Sequence, residues 1–395
     1  MHDEVRNFDL FNPGEEHKML RESVRQFVET EVEPQAHEHD KKEIFNRTLF
    51  NKIGELGVLG LTVPAEYGGP GMDAVAAVIV HEEISASDPG FGLAYLAHSM
   101  LCANNIAVNA SPEQCKRLLP KLSSGEWVGA MAMSEPDVGT DALAMKSTAV
   151  KKGDHYILNG RKMWITNGCV DEDGTPADCV VVYVKTGEKD GRPQISTFLV
   201  EKTHPGYSVG QKIKDKLGMR ASNTAELVFD SCKVPASSRV GQEGESLLHM
   251  MRNLQIERLT LAAQSLGIAR RCLDIMKRYA GERKSFGHPL SHFGQIQSYL
   301  AESYAEYMAA RTYVYDVARR LDLKKQGERL DSDGVKLFAS GVGKRVADRA
   351  IQVLGGYGYV GEYVVERLWR DAKLIEIGGG TVEAHQKNMT RELVK

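Results

Sequence analysis

The sequence lacks the features that would place it in several large classes of protein. Its 395 residues carry a formal net charge of −3, which gives no basic footprint for nucleic acid or for an anionic membrane. No apolar run approaches the roughly eighteen residues of a membrane-spanning helix. The N-terminus, MHDEVRNFDLFN, has neither the apolar core of a signal peptide nor the basic character of a transit peptide. We therefore expect no nucleic-acid partner and no membrane partner.

Cysteine is also scarce. The six cysteines include no CxxC pair, and none stands at metal-binding spacing with a histidine. Scattered single cysteines are typical of a reducing compartment, where they act as small core residues. The sequence therefore predicts neither a disulfide framework nor a metal site.

What is present is a change of pattern along the chain, from helix to strand and back. Residues 1–125 have helical apolar spacing, including a first helix that we expect Pro34 to end. Residues 126–240 are rich in β-branched strand-like runs, and Asn159-Gly160 is typical of a hairpin turn. Residues 241–395 contain four long amphipathic helices. The prediction is three domains: an N-terminal α-helical domain, a middle antiparallel β-barrel and a C-terminal four-helix bundle.

Four short motifs have residue types suited to a phosphate or a flavin, although each has an ordinary structural alternative. MSEPDVGTD offers hydroxyls and exposed backbone N–H groups, but it also fits a polar loop. WITNG fits a tryptophan in a core, and RKSFG fits the end of a helix. QVLGGYGY lacks the preceding strand and the glycine spacing of a Rossmann fold. Taken singly, these motifs do not identify a function.

Glu257 is the strongest single candidate for chemistry. It lies in LQIERLTLA, with Leu254 and Leu261 as apolar neighbours on the same helix face. Burial raises the pKa of a carboxyl group toward the value that a general base needs. Most such glutamates are surface residues or pair with a nearby arginine, here Arg258. Because Arg258 falls on the apolar stripe, the pattern favours a polar cavity inside the bundle.

In order and together, MSEPDVGTD, WITNG, RKSFG, QVLGGYGY, RDAK and GGGTVE resemble the acyl-CoA dehydrogenase family, over residues 12 to 394. The resemblance implies FAD bound between the β-domain and the bundle, in a homotetramer whose neighbouring subunit contributes. It assigns cofactor contacts to Met131, Met133, Ser134, Gly139, Thr140, Trp164, Ile165, Thr166, Arg283, Phe286, Gln352, Val353, Leu354, Gly355, Gly356, Thr381, Val382 and Glu383. It assigns substrate contacts to Leu93, Ala97, Thr140, Leu248, Gln255, Arg258, Gly378, Gly379 and Gly380.

The implied reaction is α,β-dehydrogenation of an acyl-CoA thioester, with electrons passed to an electron-transferring flavoprotein. Most of the family has a tyrosine and then the catalytic glutamate where this chain has Gly378 and Gly379. A minority, including the isovaleryl-CoA and long-chain enzymes, carry the base in an ER pair on the first long helix of the bundle. This chain has that pair at Glu257 and Arg258. The resemblance therefore assigns the catalytic base to Glu257.

The acyl chain is the least constrained part of the expectation. Leu93, Ala97 and EIGGGT resemble the isovaleryl-CoA enzymes, which makes isovaleryl-CoA the first substrate to consider. Two residues depart from the family pattern: Leu248 replaces an aromatic near the CoA, and Gly294 replaces a glutamine near the FAD adenosine. The alternatives are medium or long straight-chain acyl-CoA, an acyl-CoA oxidase and a non-catalytic scaffold. The implied compartment is the bacterial cytoplasm or, for a trimmed eukaryotic protein, the mitochondrial matrix.

Overall fold

The N-terminal part of the chain is helical. The computed structural model describes residues 9–325 and 327–395. From residue 9 onward, seven α-helices precede the first strand: α1 Glu15–Phe27, α2 Glu33–Lys42, α3 Arg47–Glu55, α4 Ala74–Ser85, α5 Pro89–Leu96, α6 Asn105–Asn109 and α7 Pro112–Ser123. Side chains cap several of them; Ser111, for example, forms a capping box with Gln114 at the start of α7.

The expectation that Pro34 ends the first helix is wrong. One π-helical turn, Val28–Val32, links α1 to α2, and Pro34 lies in the first turn of α2. Proline is tolerated there because that position has no intrahelical hydrogen bond to lose.

The sequence Pro89–Asn109 forms a nearly continuous helix through α5, a π-helical stretch and α6. By length and composition it is the one helix of the described residues that matches a membrane span, which the sequence reading missed. Most of it is buried inside the protein, with 83% of its most apolar window covered. Its apolar character is therefore explained by its place in the core.

The middle of the chain forms an eight-stranded sheet. Its strands are β1 Gly129–Ala132, β2 Thr148–Lys152, β3 His155–Thr166, β4 Cys179–Lys189, β5 Arg192–Glu201, β6 Tyr207–Lys212, β7 Thr224–Pro235 and β8 Arg239–Val240. The order is β6-β7-β3-β2-β4-β5-β8, and β1 pairs with β4. The pairing is antiparallel except that β4 runs parallel to β1 and meets β2 in parallel at one residue pair.

Asn159-Gly160 does not form the expected hairpin turn. Both residues lie inside β3, where Gly160 (φ +143°) marks a bulge against β7. A side chain at Gly160 would collide with Ser147, since an added Cβ would be 2.3 Å from Ser147 Oγ. The hairpin turn instead lies at Gly153-Asp154, between β2 and β3.

The C-terminal part returns to helix. Its helices are α8 Leu247–Glu282, α9 Gly294–Arg320, α10 Arg329–Leu354, α11 Gly356–Tyr359, α12 Val365–Ile375 and α13 Val382–Leu393. A short ribbon, β9 Lys284–Ser285 and β10 His288–Pro289, follows α8. Helices α8, α9 and α10 pack against one another, while α12 and α13 pack against α10. The predicted order of helical, β-rich and helical regions is confirmed; the boundaries at 125/126 and 240/241 stay a prediction.

One apolar core joins the two helical regions. It includes Ile79 of α4, Leu96 of α5, Leu266 of α8 and Val346 of α10. The sheet has a separate core of its own. The N-terminal and C-terminal helices therefore pack as one body, against which the sheet is placed.

Candidate active site

The three consecutive glycines lie between α12 and α13, in a segment from Glu376 to Gly380 that we call the glycine loop. Gly379 (φ +68°) and Gly380 (φ +108°) adopt backbone conformations that disfavour other residues. Thr381 then begins α13, where its Oγ1 accepts a hydrogen bond from the Ala384 N–H. The loop is thus a tight turn with little side-chain cover.

Glu257 of α8 faces this loop. A Cβ added to Gly379 would lie 3.6 Å from the carboxyl carbon of Glu257 and 2.5 Å from Leu261 Cδ1. The short distance to buried Leu261 and the positive φ both oppose a side chain at position 379. The structure therefore brings together the two positions that the sequence linked, a loop without a carboxylate and a helix that carries one.

The electrostatics of Glu257 suit a general base. Burial raises the pKa of its carboxyl group to about 7, against the opposing pull of Arg258 and Lys336. Its Oε2 is buried and has no hydrogen-bond partner among residues 9–325 and 327–395. A carboxylate with an unused oxygen and a pKa near neutrality can accept a proton from a bound molecule.

The other substrate contacts expected on α8 have different surroundings. Arg258 donates from Nε to the Gly379 carbonyl at 3.3 Å and pairs with Asp333 at 2.9 Å. Gln255 is buried and exchanges two hydrogen bonds with the Gly327 backbone. Leu248 is largely exposed near the start of α8. Arg258 is therefore part of the loop's support, and Gln255 is tied to the connection before α10.

Two segments of the β-region that were expected to meet a flavin lie side by side. The Met163 N–H donates to the Ser134 carbonyl at 2.9 Å, which joins the MSEPDVGTD loop to the end of β3. Buried Glu135 pairs with Lys162 at 2.9 Å and accepts hydrogen bonds from the Lys146 and Ser147 N–H groups. These contacts fix the loop without using the hydroxyls of Ser134 and Thr140, which remain available to a ligand.

Near its end, β3 carries an exposed aromatic ring. Trp164 keeps 62% of its surface exposed and has φ +65°, which places a large apolar ring at the surface at some backbone cost. An exposed indole ring offers a flat apolar face to a ligand. Ile165 points into the sheet core, so only its backbone can face such a ligand. The other cofactor contacts expected here are partly or fully exposed, and their role stays a prediction: Met131, Met133, Ser134, Gly139, Thr140, Trp164 and Thr166.

Other expected cofactor contacts lie far from Glu257 within one chain. Arg283 follows Glu257 by 26 residues across the end of α8, which corresponds to about 39 Å at 1.5 Å per residue. Phe286, in the turn of the β9–β10 ribbon, is 92% exposed. Val353 and Leu354 are core residues, so QVLGGYGY presents Gln352, its glycine backbone and the exposed rings of Tyr357 and Tyr359. One chain therefore does not bring Arg283 next to Glu257.

The residues expected around the acyl chain have apolar side chains or are glycines. Leu93 and Ala97 are buried on the helix that packs against α8. A Cβ added to Gly378 would meet only Leu374 within 4 Å among the described residues, at an ordinary 3.6 Å or more. Asn253, which the sequence analysis did not select, donates from Nδ2 to Met131 Sδ at 3.2 Å. Its buried Oδ1 has no hydrogen-bond partner in the part of the chain that the structure describes. Its place one turn before Glu257 on α8 was the signal that could have found it.

Comparison with known proteins covers almost the whole chain. Models of the acyl-CoA dehydrogenase N-terminal, middle and C-terminal domains match residues 14–126, 130–232 and 247–394. The mitochondrial isovaleryl-CoA dehydrogenase of Oryza sativa subsp. japonica is 44% identical over 388 residues, which is 98% of this chain and 92% of that relative.

Two solved structures have the same fold with different acyl substrates in their names. Butyryl-CoA dehydrogenase from Megasphaera elsdenii superposes with a TM-score of 0.91 and 34% identity, covering 96% of this chain and 98% of that one. A glutaryl-CoA dehydrogenase from Mycobacterium smegmatis in complex with FADH2 gives 0.88 and 29%, covering 96% and 95%.

The three matched ranges include both helical regions, most of the β-rich region and the glycine loop. The fold agrees across these relatives, one of which is in complex with FADH2, whereas the acyl group in their names varies. The chain therefore belongs to the acyl-CoA dehydrogenase family, the FAD-dependent oxidoreductases that act on the CH–CH bond of acyl-CoA thioesters.

Proposed function

We propose that the chain dehydrogenates a short branched-chain acyl-CoA, with isovaleryl-CoA as the first candidate and 3-methylcrotonyl-CoA as its product. The observation that carries the proposal is the 3.6 Å between the Glu257 carboxyl carbon and the Cβ position of Gly379. Glu257 of α8 lies beside Gly379, a loop position that has no room for a side chain.

Each step of the proposed dehydrogenation is assigned to a residue or to the cofactor. Glu257 removes the α-proton of the thioester, and the Gly379 N–H donates to the thioester carbonyl, which makes that proton more acidic. When bound, FAD supplies the acceptor for the β-hydride. Ser134, Thr140, Trp164 and Thr166 hold and orient the flavin ring, and the remaining cofactor and substrate contacts named above are proposed on the same resemblance.

The width of the acyl site supports a branched chain. Gly378 leaves free space beside the glycine loop, and a second methyl group on the β-carbon needs that space. The high identity to an isovaleryl-CoA dehydrogenase points the same way. Butyryl-CoA is the second candidate, because an enzyme of that name shares the fold over 96% of this chain.

Electrons leave, in this proposal, to an electron-transferring flavoprotein, and the active form is a homotetramer. The position of Arg283 supports the second point. A residue about 39 Å along α8 from Glu257 can meet a flavin only if that flavin belongs to another subunit, or if its own flavin extends away from the base. A shared site explains why the exposed Phe286 ring is available for contact.

The test is anaerobic bleaching of the flavin by isovaleryl-CoA. Glu257→Gln should slow bleaching at saturating substrate by at least about 100-fold, since a general base contributes 10²–10⁴. Glu306→Gln, on the outer side of α9, is the control and should bleach at the wild-type rate. Wild-type bleaching in Glu257→Gln would remove the base assignment. Rapid peroxide formation in air would instead indicate an oxidase.

A further inference from the structure

A buried lysine lies beneath the glycine loop. Lys336 of α10 has no exposed surface, and its Nζ donates to the carbonyls of Ile375 and Gly380. These two carbonyls stand at opposite ends of the loop, because Ile375 ends α12 and Gly380 precedes the N-cap of α13. One ammonium group therefore holds the entry and the exit of the loop together.

The middle of the loop is held by a second cation. Arg258 donates from Nε to the Gly379 carbonyl at 3.3 Å, and its Nη1 lies 2.9 Å from Asp333 Oδ1. The same Asp333 oxygen meets His385 Nδ1 at 2.6 Å. Lys336 and Asp333 are three residues apart on α10, so one face of that helix carries the ammonium and anchors the arginine.

These contacts do more than pack the core around the loop. Three consecutive glycines have high backbone freedom. The Ile377 and Gly378 N–H groups donate to the Leu374 carbonyl within the turn. The Gly379 and Gly380 carbonyls instead accept from the Arg258 and Lys336 side chains. A lysine is seldom fully buried unless its charge is compensated, and burial lowers the pKa of Lys336 to about 8. The ammonium is kept in place at this cost, directly behind the backbone that faces Glu257.

We propose that Lys336 is a positioning residue: by binding both ends of the glycine loop, it sets the distance between the Gly379 backbone and Glu257. The inference rests on the proposed function, because the loop and Glu257 act there on the same thioester. Lys336 itself does not touch the substrate. Its removal should leave binding of the CoA thioester nearly intact and slow the step that needs the loop and the base together.

The first experiment compares Lys336→Met, Lys336→Gln and Lys344→Met as purified flavin-loaded proteins. Lys344 is two turns further along α10 and packs on Trp369, away from the loop, so its loss controls for general damage to the helix. Under anaerobic conditions with saturating isovaleryl-CoA, we expect Lys336→Met to bleach at least about tenfold more slowly, with a thioester Kd within about threefold of wild type.

Lys336→Gln keeps a hydrogen-bond donor, so it should recover part of the rate, and Lys344→Met should match wild type. If Lys336→Met does not fold, the bleaching rate and thioester Kd of Lys336→Gln test the proposal in its place. A folded Lys336 variant that bleaches at the wild-type rate overturns the proposal. Equal slowing by Lys344→Met also overturns it, because the effect would then come from general loss of helix stability.

The second experiment does not depend on turnover. Hydrogen exchange of the wild type and of Lys336→Met is followed by mass spectrometry on peptides that cover residues 375–380. Faster exchange confined to that segment supports the positioning role, and unchanged exchange overturns it. Should wild type fail to bleach with any acyl-CoA while the loop still loosens, the proposed substrate reaction fails and the structural role of Lys336 stands.

Discussion

At the scale of single residues, the acid–base state of Glu257 sets when the proposed reaction can run. The ordinary pKa of a glutamate is near 4.5, and burial raises that of Glu257 to about 7. The carboxyl group is therefore protonated in mildly acidic solution and ionised only above neutrality. Arg258 and Lys336 keep the shift from being larger.

The first prediction is a pH dependence with a defined sign. The rate constant for flavin reduction by saturating isovaleryl-CoA should rise about tenfold per pH unit below pH 7 and then level off, since only ionised Glu257 accepts the α-proton. Stopped-flow absorbance measures this rate constant. A profile that is flat between pH 5 and 8 would show that another group is the base.

The pH dependence of protein stability is an independent check on the pKa of the Glu257 carboxyl group. Because its folded-state pKa lies above the unfolded value, Glu257 favours the fold at low pH, and this contribution is lost as pH rises from about 4.5 through about 7. Glu257→Gln should accordingly gain Tm over wild type at pH 8 and match it near pH 4.5.

The second prediction concerns Gly378. Gly378→Ala should lower kcat/KM for isovaleryl-CoA about tenfold more than for butyryl-CoA, because one added methyl in an apolar site discriminates by about 1–3 kcal/mol. The added Cβ has room against Leu374, so the fold should be retained. A chain-length series of acyl-CoA substrates measures the change, and equal losses for both substrates would contradict the proposed width.

Single residues also show where sequence reasoning was sufficient and where it was not. Glu257 was selected because the family resemblance links the glycine at position 379 to an ER pair on a helix. The structure brings the two positions together, and the role of Glu257 as base stays a prediction. Lys336 was missed because a lysine in an amphipathic helix normally reads as solvent-exposed, and its loop contacts join residues 39 and 44 positions apart. The buried ion pair of Glu135 was likewise not predicted, since its partner Lys162 lies on β3.

At the scale of elements, a buried ionic cluster connects four helices. Glu82 and Glu83 of α4 are almost fully buried and pair with Arg21 of α1. Arg270 of α8 and Arg311 of α9 approach the same two carboxylates. The arginines hold the pKa of Glu83 far below its ordinary value. The cluster therefore fixes how α1, α8 and α9 cross α4.

The third prediction follows from that cluster. Glu83→Ala should destabilise the protein by about 3–5 kcal/mol, since it leaves buried arginines without their carboxylate. Glu302→Ala removes an exposed partner of Arg349 and should cost no more than about 1 kcal/mol. Urea unfolding at constant protein concentration measures both. Similar costs for the two variants would mean that water reaches the cluster.

The two misplaced elements have local causes. Pro34 was read as a stop signal, yet the π-helical turn at Val28–Val32 lets the chain pass it without losing a hydrogen bond. Asn159-Gly160 was read as a turn, yet Ser147 packs where a side chain at Gly160 would be. Both outcomes depend on the backbone geometry and packing of nearby segments, which residue preferences do not specify. Helix and strand types follow from periodicity and were predicted correctly.

At the scale of the whole molecule, the separation of Glu257 from Arg283 along α8 suggests a test of the shared site. Hybrid oligomers of Glu257→Gln and Arg283→Ala chains should recover up to about one quarter of wild-type activity under random pairing, because one site in four then has both residues. Each variant alone should be nearly inactive, and Arg283→Ala should also lose FAD.

Co-expression with two affinity tags isolates the hybrids, and flavin absorbance together with bleaching by isovaleryl-CoA measures recovery. Two copies of Arg283→Ala carried on different tags control for tag effects. Hybrids no more active than the separate variants would place Arg283 at its own chain's flavin.

The parallel pairing of β1 with β4 has a consequence for the order in which the chain folds. Gly129 meets Cys179, 50 residues later, so β1 has no strand to pair with until β4 exists. The MSEPDVGTD loop directly follows β1, and Met163 of β3 completes its hydrogen bonding. During synthesis from the N-terminus, the helical region therefore emerges first, and the loop that we propose to face the flavin is assembled late. A truncated chain that ends before β4 would lack a formed cofactor site, however well its helices fold.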